Sequence, residues 1–306
     1  LCDQIVVHKA SQGPNVERVA LQMVDEGTDA RSCYPSVTDT TPMCKIALQD
    51  FAGEDPVNYL VSDNSRQVIA AGKELGWIPD RSTPNRKNKN PKIERAIRTT
   101  NDGTRAIMLH AGFPPLWWGP AAAYFNVLWT ISRQTTMGAV TQTPWEHRKG
   151  EPFNGKVMHF GSLVYFRPYH QDLLAQHRFS PPTMPGVMLG WVLQPGCTWK
   201  GDYLVVSLAQ LRTDVERGPG QGRVKMHQVK EVWPAKRLTF PLKADFDKKQ
   251  LEQGPREPTP GEMVHNEGEG ELLPEEDDVH VPATADTPLA FDPSTPDEEL
   301  DIEPTK

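Results

Sequence analysis

Between residues 2 and 78, short runs rich in Val, Ile and Leu come first in succession and then alternate with helical patterns. That order constrains the fold more than any other feature. CDQIVVH (2–8) and VALQMVD (19–25), separated by Gly13-Pro14-Asn15, read as the two strands of a hairpin. A third strand is expected over Arg31 to Pro35, and a helix over Met43 to Phe51. Asn58 to Val61 reads as a further strand ending at Ser62-Asp63-Asn64. RQVIAAGKEL (66–75) follows as a helix, and Gly76-Trp77-Ile78 opens a last short strand. Strands first, then strand and helix in alternation, predict an α/β sandwich around a mixed sheet.

Downstream the character changes twice. RSTPNRKNKNPK (81–92) is loop-like and carries five cations in twelve residues. A helix is expected from Pro91, a residue suited to a first helical position, to about His110, where Gly112 and Pro114-Pro115 stop it. LWWGPAAAYFNVLWTIS (116–132) reads as a second, more buried helix. Its aromatics (Trp117, Trp118, Tyr124, Phe125, Trp129) sit at helical spacing, which predicts core packing rather than a base-stacking platform. Residues 155–215 hold β-rich stretches joined by Pro and Gly turns, the pattern of a small barrel or a few antiparallel strands. The organisation expected is a core over 1–135, a linker and small β-rich domain over 136–244, and a disordered acidic tail over 245–306.

Charge is divided along the same lines. Residues 245–306 carry 19 acidic and 4 basic side chains, a net of −15, which leaves 21 acidic and 29 basic in 1–244, a net of +8. A basic body suits a polyanion held through its phosphates, although a basic surface has no need of one. Cys2, Cys33, Cys44 and Cys197 form no C-x-x-C pair, so free thiols are expected rather than a zinc module or a disulfide framework. No apolar run is long enough to cross a bilayer, and Leu1 reads as a start inside a folded unit.

Phosphodiester chemistry needs charge stabilisation more than covalent help, and paired Mg²⁺ ions held by hard carboxylates from separate elements supply it. Asp3 on the first strand and Asp63 at the end of a later strand can lie side by side in a sheet, with Glu94 approaching from the first turn of the next helix. Taken singly, each has a plainer reading: a strand-closing Asp is a turn residue, and a Glu at a helix start favours the dipole.

The surrounding words point further. YLVSDNS (59–65), Ser82-Thr83-Pro84 and IERAIR (93–98) resemble the integrase core of copia-type retrotransposons. There an S-D-N strand end precedes an S-T-P loop and a helix bearing E-R. HAGFP (110–114) with Trp117-Trp118, TPWE (143–146) with Phe160-Gly161, and GVMLGW (186–191) resemble later motifs of the same family, so the likeness spans about residues 1–210. The resemblance implies an RNase H-like core, and an integrase that performs metal-dependent 3′-end processing and DNA strand transfer. It identifies Asp63 and Glu94 with the second and third metal-binding carboxylates, and Asp3 with the first by position. Asp25 is the rival for that first place. Mg²⁺ or Mn²⁺ as cofactor, element-end and target DNA as partners, and a homo-oligomer are implied with it. So are a parent polyprotein and a nuclear location with a cytoplasmic particle stage. Lys87, Lys89, Lys92, Arg95 and Arg98 are the cations expected on DNA phosphates.

Departures from the pattern are local. Asn88-Lys89-Asn90-Pro91-Lys92 stands where relatives carry a Gln-rich stretch and an N-G pair, and Ser65-Arg66-Gln67 replaces a glycine and an acidic residue. The family's upstream His/Cys zinc module is not in this chain. A non-catalytic or domesticated DNA-binding remnant is the alternative, and a ribonuclease H-type nuclease a third reading.

Overall fold

The computed structural model describes residues 1–7, 17–62, 65–81, 91–138, 140–168, 181–217 and 224–253. The chain divides into Leu1–Pro255 and Arg256–Lys306, and the second unit lies wholly outside the described residues.

Five strands build the first sheet: β1 (Cys2–Val6), β2 (Val19–Val24), β3 (Arg31–Ser36), β4 (Tyr59–Ser62) and β5 (Ile78–Arg81). Their order is β3-β2-β1-β4-β5. β1–β2 and β2–β3 are antiparallel, whereas β1–β4 and β4–β5 are parallel, so the sheet is mixed, as the sequence order predicts. The β1–β2 hairpin forms as expected, and its Gly13-Pro14-Asn15 turn lies outside the described residues.

Strand alternation sends successive side chains to opposite faces. Cys2, Leu21, Met23 and Leu60 pack on one face against Cys44, Ala47 and Leu48 of α1 (Thr41–Ala52) and Val68 and Ala71 of α2 (Arg66–Glu74). α1 starts two residues before its expected bound because Pro42 suits a first turn. Ser65 caps α2 by accepting the Val68 N–H at 3.5 Å. Ile5, Ala20 and Cys33 on the other face meet α3 (Pro91–Ala111) and α4 (Trp118–Ser132), giving three layers. α3 buries Ile93, Ala96, Thr100, Thr104, Met108 and Ala111, one stripe at helical spacing. Helical Gly103 lets α4 approach closely, since a Cβ there would stand 2.1 Å from the Phe125 ring.

The segment expected as one helix over 116–132 divides into a single 3-10 turn, Pro115–Trp117, and α4. Pro120 falls in the first turn of α4, where its missing N–H has no intrahelical use. Trp117, Trp118 and Tyr124 are buried core residues, as their spacing predicts, whereas Phe125 and Trp129 are half-buried.

A short hairpin, β6 (Thr135–Met137) and β7 (Val140–Gln142), leads to α5 (Pro144–Lys149). The second sheet holds β8 (Leu163–Phe166), β9 (Met184–Gln194), β10 (Thr198–Ser207), β11 (Met226–Val229) and β12 (Val232–Pro234), antiparallel throughout and ordered β11-β10-β9-β8-β12. It lies on α4: Tyr124 stacks on Trp191 at 5.1 Å between centroids and donates to the Met158 carbonyl at 2.9 Å. One apolar core therefore runs from Ile5 and Cys33 through α4 to Val164, Phe166, Val187 and Val205.

Three helices have no counterpart in the sequence reading: α5, which forms over the TPWE stretch, and two later ones. α6 (Leu208–Arg217) follows β10 with no breaker between them and buries Leu211. α7 (Lys243–Gln253) occupies the start of the expected acidic tail, where Lys243 pairs with Asp247 one turn on (2.7 Å). The four cysteines are free and buried, and among the described residues no helix is long and apolar enough to cross a membrane.

Candidate active site

Asp3 occupies the central strand β1, half-buried, and its Oδ1 accepts the Gln4 N–H at 2.7 Å. It pairs with Gln22 across the β1–β2 ladder, so the two side chains share a face. Gln22 reaches Thr100 of α3 and Asn126 of α4, which identifies that face as the one covered by these helices. On its other side β1 meets β4 through Cys2 and Ser62. Asp3 thus lies one residue beyond the point where the two parallel strands join. Asp63, Lys87 and Lys89 lie outside the described residues.

Glu94 is exposed in the first turn of α3, where a carboxylate complements the helix dipole. The turn that bears it is anchored. Ile93 and Ala96 bury against Val24 at the end of β2. The Lys92 ammonium donates to the Glu26 carbonyl at 3.1 Å and lies 3.9 Å from Asp29. Lys92 is therefore half-buried and engaged with the β2–β3 turn, whereas Arg95 and Arg98 are exposed on α3.

That turn also accounts for Asp25. Its Oδ1 accepts the Gly27 N–H (3.1 Å), its Oδ2 accepts the Thr28 hydroxyl (2.6 Å), and its carbonyl accepts the Asp29 N–H (2.9 Å). Both carboxylate oxygens of Asp25, the rival for the first metal-binding place, serve the turn. Asp29, at φ 59°, accepts from Trp129 Nε1 (3.2 Å) and pairs with Arg31 (3.4 Å). The Arg31 guanidinium lies 3.8 Å from the Trp129 ring, and burial pulls its pKa below the ordinary arginine range, with Asp29 opposing the shift.

Sequence reasoning missed the polar set Gln22, Thr100 and Asn126, all fully buried beside Asp3's face. The available signal was Gln22 itself, the one polar residue in VALQMV.

Carboxylate oxygens are the donors a hard divalent cation takes, so Asp3 and Glu94 fit Mg²⁺ by chemistry. Among the described residues, no three His, Cys, Asp or Glu side chains form a group that could hold a metal.

No protein-family model and no curated protein matches the chain. Solved structures similar to the chain include the catalytic core domain of BIV integrase, at TM-score 0.35 and 17% identity, over 47% of this chain and 90% of that one.

Proposed function

We propose that this chain carries an RNase H-like integrase core of the copia retrotransposon type, part of a larger polyprotein. In this reading it performs metal-dependent 3′-end processing and DNA strand transfer. The observation that supports it most is a coincidence of motif order and topology. A mixed sheet of order β3-β2-β1-β4-β5 carries Asp3 on its central strand, β4 runs directly into the S-D-N motif, and Glu94 rides the helix covering Asp3's face.

Asp3, Asp63 and Glu94 would hold Mg²⁺ or Mn²⁺. Bound there, such ions activate an attacking oxygen and neutralise charge on the leaving one. The chain's own residues orient and hold. The Gln4 N–H fixes one oxygen of Asp3, and Lys92 ties the first turn of α3 to the β2–β3 turn. Arg95 and Arg98, with Lys87 and Lys89, would neutralise DNA phosphates, contacts that position without specifying sequence. In processing, a water oxygen forms a bond to phosphorus and a 3′-hydroxyl is freed. In joining, that hydroxyl attacks a phosphodiester of target DNA and displaces one of its 3′-oxygens. The reading includes action as a homo-oligomer, in the nucleus after a cytoplasmic particle stage.

The experiment is strand transfer by purified chain on oligonucleotide ends with Mg²⁺. Asp63→Asn and Glu94→Gln should each abolish joining while circular dichroism stays unchanged. Undiminished joining by either variant refutes the assignment. A chain that binds DNA, yet gains no thermal stability from Mg²⁺ and joins nothing, would be the non-catalytic remnant.

A further inference from the structure

Gln22, Thr100 and Asn126 are all at 0% exposure in the layer between the first sheet and helices α3 and α4. The Gln22 amide donates to Asn126 Oδ1 at 2.8 Å, and its oxygen accepts the Thr100 hydroxyl at 3.2 Å. Thr100 Oγ1 is also 3.4 Å from Asn126 Oδ1, and the Asn126 amide donates to the Ala122 carbonyl at 2.9 Å. Every side chain of the set finds a partner, and the bonds bridge strand β2, helix α3 and helix α4.

Such a network contributes little net stability, since apolar groups of the same shape can replace both partners of a buried hydrogen bond at nearly no cost. What it supplies is direction. Ile93 and Ala96 hold α3 on Val24 by apolar contact, which tolerates sliding and rotation. A hydrogen bond weakens steeply once its angle is lost. Thr100 lies six residues beyond Glu94, roughly 9 Å along the helix axis. A turn of α3 about its axis that broke the Thr100 bond would swing Glu94 by the same angle. At the other end of the network, Gln22 is the cross-strand partner of Asp3.

We infer that Gln22, Thr100 and Asn126 are positioning residues that set the rotation of α3, and so the placement of Glu94, relative to Asp3. This rests on the integrase reading.

The test compares Thr100→Val, which removes the hydroxyl at constant shape, with Thr100→Ser, which keeps it. Asn126→Leu serves as a second break. Three quantities are measured on the full chain: the urea midpoint, the Mg²⁺ concentration giving half-maximal thermal stabilisation, and amide hydrogen exchange over residues 93–98. Thr100→Val leaves the buried Gln22 oxygen without its donor, so it should lower the urea midpoint modestly, raise the half-saturating Mg²⁺ at least tenfold and speed exchange in that first turn more than in the rest of α3. Thr100→Ser should restore wild-type Mg²⁺ dependence, and Asn126→Leu should follow Thr100→Val. A Thr100→Val chain with wild-type Mg²⁺ dependence and exchange overturns the inference alone. A wild-type chain with neither Mg²⁺ stabilisation nor joining overturns the integrase reading and the inference with it. Should Asn126→Leu fail to fold, the Val/Ser contrast at position 100 decides.

Discussion

Arg148→Met should loosen the attachment of the second sheet's β9–β10 hairpin to the end of α1. Arg148 is only 7% exposed, and its Nη2 donates to the Phe51 carbonyl at 2.6 Å. Its guanidinium lies 4.7 Å from the Phe51 ring, Nη1 donates to the Cys197 thiol at 3.4 Å, and Nη2 reaches Asp55 at 3.0 Å. Methionine keeps much of the stem and removes the charge. The Phe51 bond is charge-assisted and part-buried, a class worth about 1.5–3 kcal/mol. The cation–π contact adds about 0.5–1 kcal/mol. The ion pair adds little, because Asp55 is 58% exposed and exposed pairs are worth roughly 0–1 kcal/mol. The expected loss is therefore about 2–4 kcal/mol, which for a body of this size lowers Tm by roughly 4–16 °C. Urea and thermal unfolding followed by circular dichroism measure it, with Asp55→Asn as the control expected to cost under about 1 kcal/mol. If Arg148→Met costs no more than Asp55→Asn, the buried guanidinium–carbonyl bond is not what holds this joint, and the reasoning fails.

Gly161→Ala should destabilise by about 2–4 kcal/mol, from a left-handed backbone and overpacking together. Gly161 has φ 76°, and a Cβ there would stand 2.4 Å from the Ala111 Cβ. An unchanged urea midpoint would refute that account. Glu146 closes a capping box at α5, its carboxylate accepting the Thr143 N–H (2.7 Å) and hydroxyl (2.9 Å), which holds its pKa below the usual glutamate range. A folded pKa below the unfolded one gives stability that is present above the unfolded value and lost as pH falls through the folded value. Wild type should therefore exceed Glu146→Gln in urea midpoint at pH 6 and converge with it in that acid range. A gap independent of pH would show that the charge is not involved.

The strand and helix order of the first sheet was legible because it is local. Period-2 runs, Gly and Pro breaks, and Pro42 and Pro91 at helix starts all act within a few residues of chain. The motifs around Asp63 and Glu94 can be read for a related reason: they are short and contiguous in the sequence. Asp3 was legible only as a carboxylate on an opening strand, and the ladder with Gln22 supplied the face it shares with α3. The role of Asp25 needed the turn geometry that occupies both its oxygens.

Tertiary structure alone decided the rest. Lys92 reads as one cation among five in a loop, yet it reaches a carbonyl 66 residues away. Gln22 reads as an interruption in a strand until Thr100, 78 residues on, donates to its oxygen and Asn126, 104 residues on, accepts from its amide. The β-rich stretch reads as a separate unit, but Tyr124 and Trp191 join it to the core of the first sheet. Local propensity and spacing are written residue by residue, so a chain can be read for them. Which distant polar groups satisfy one another depends on the packing of every element between them, and only the folded molecule specifies that.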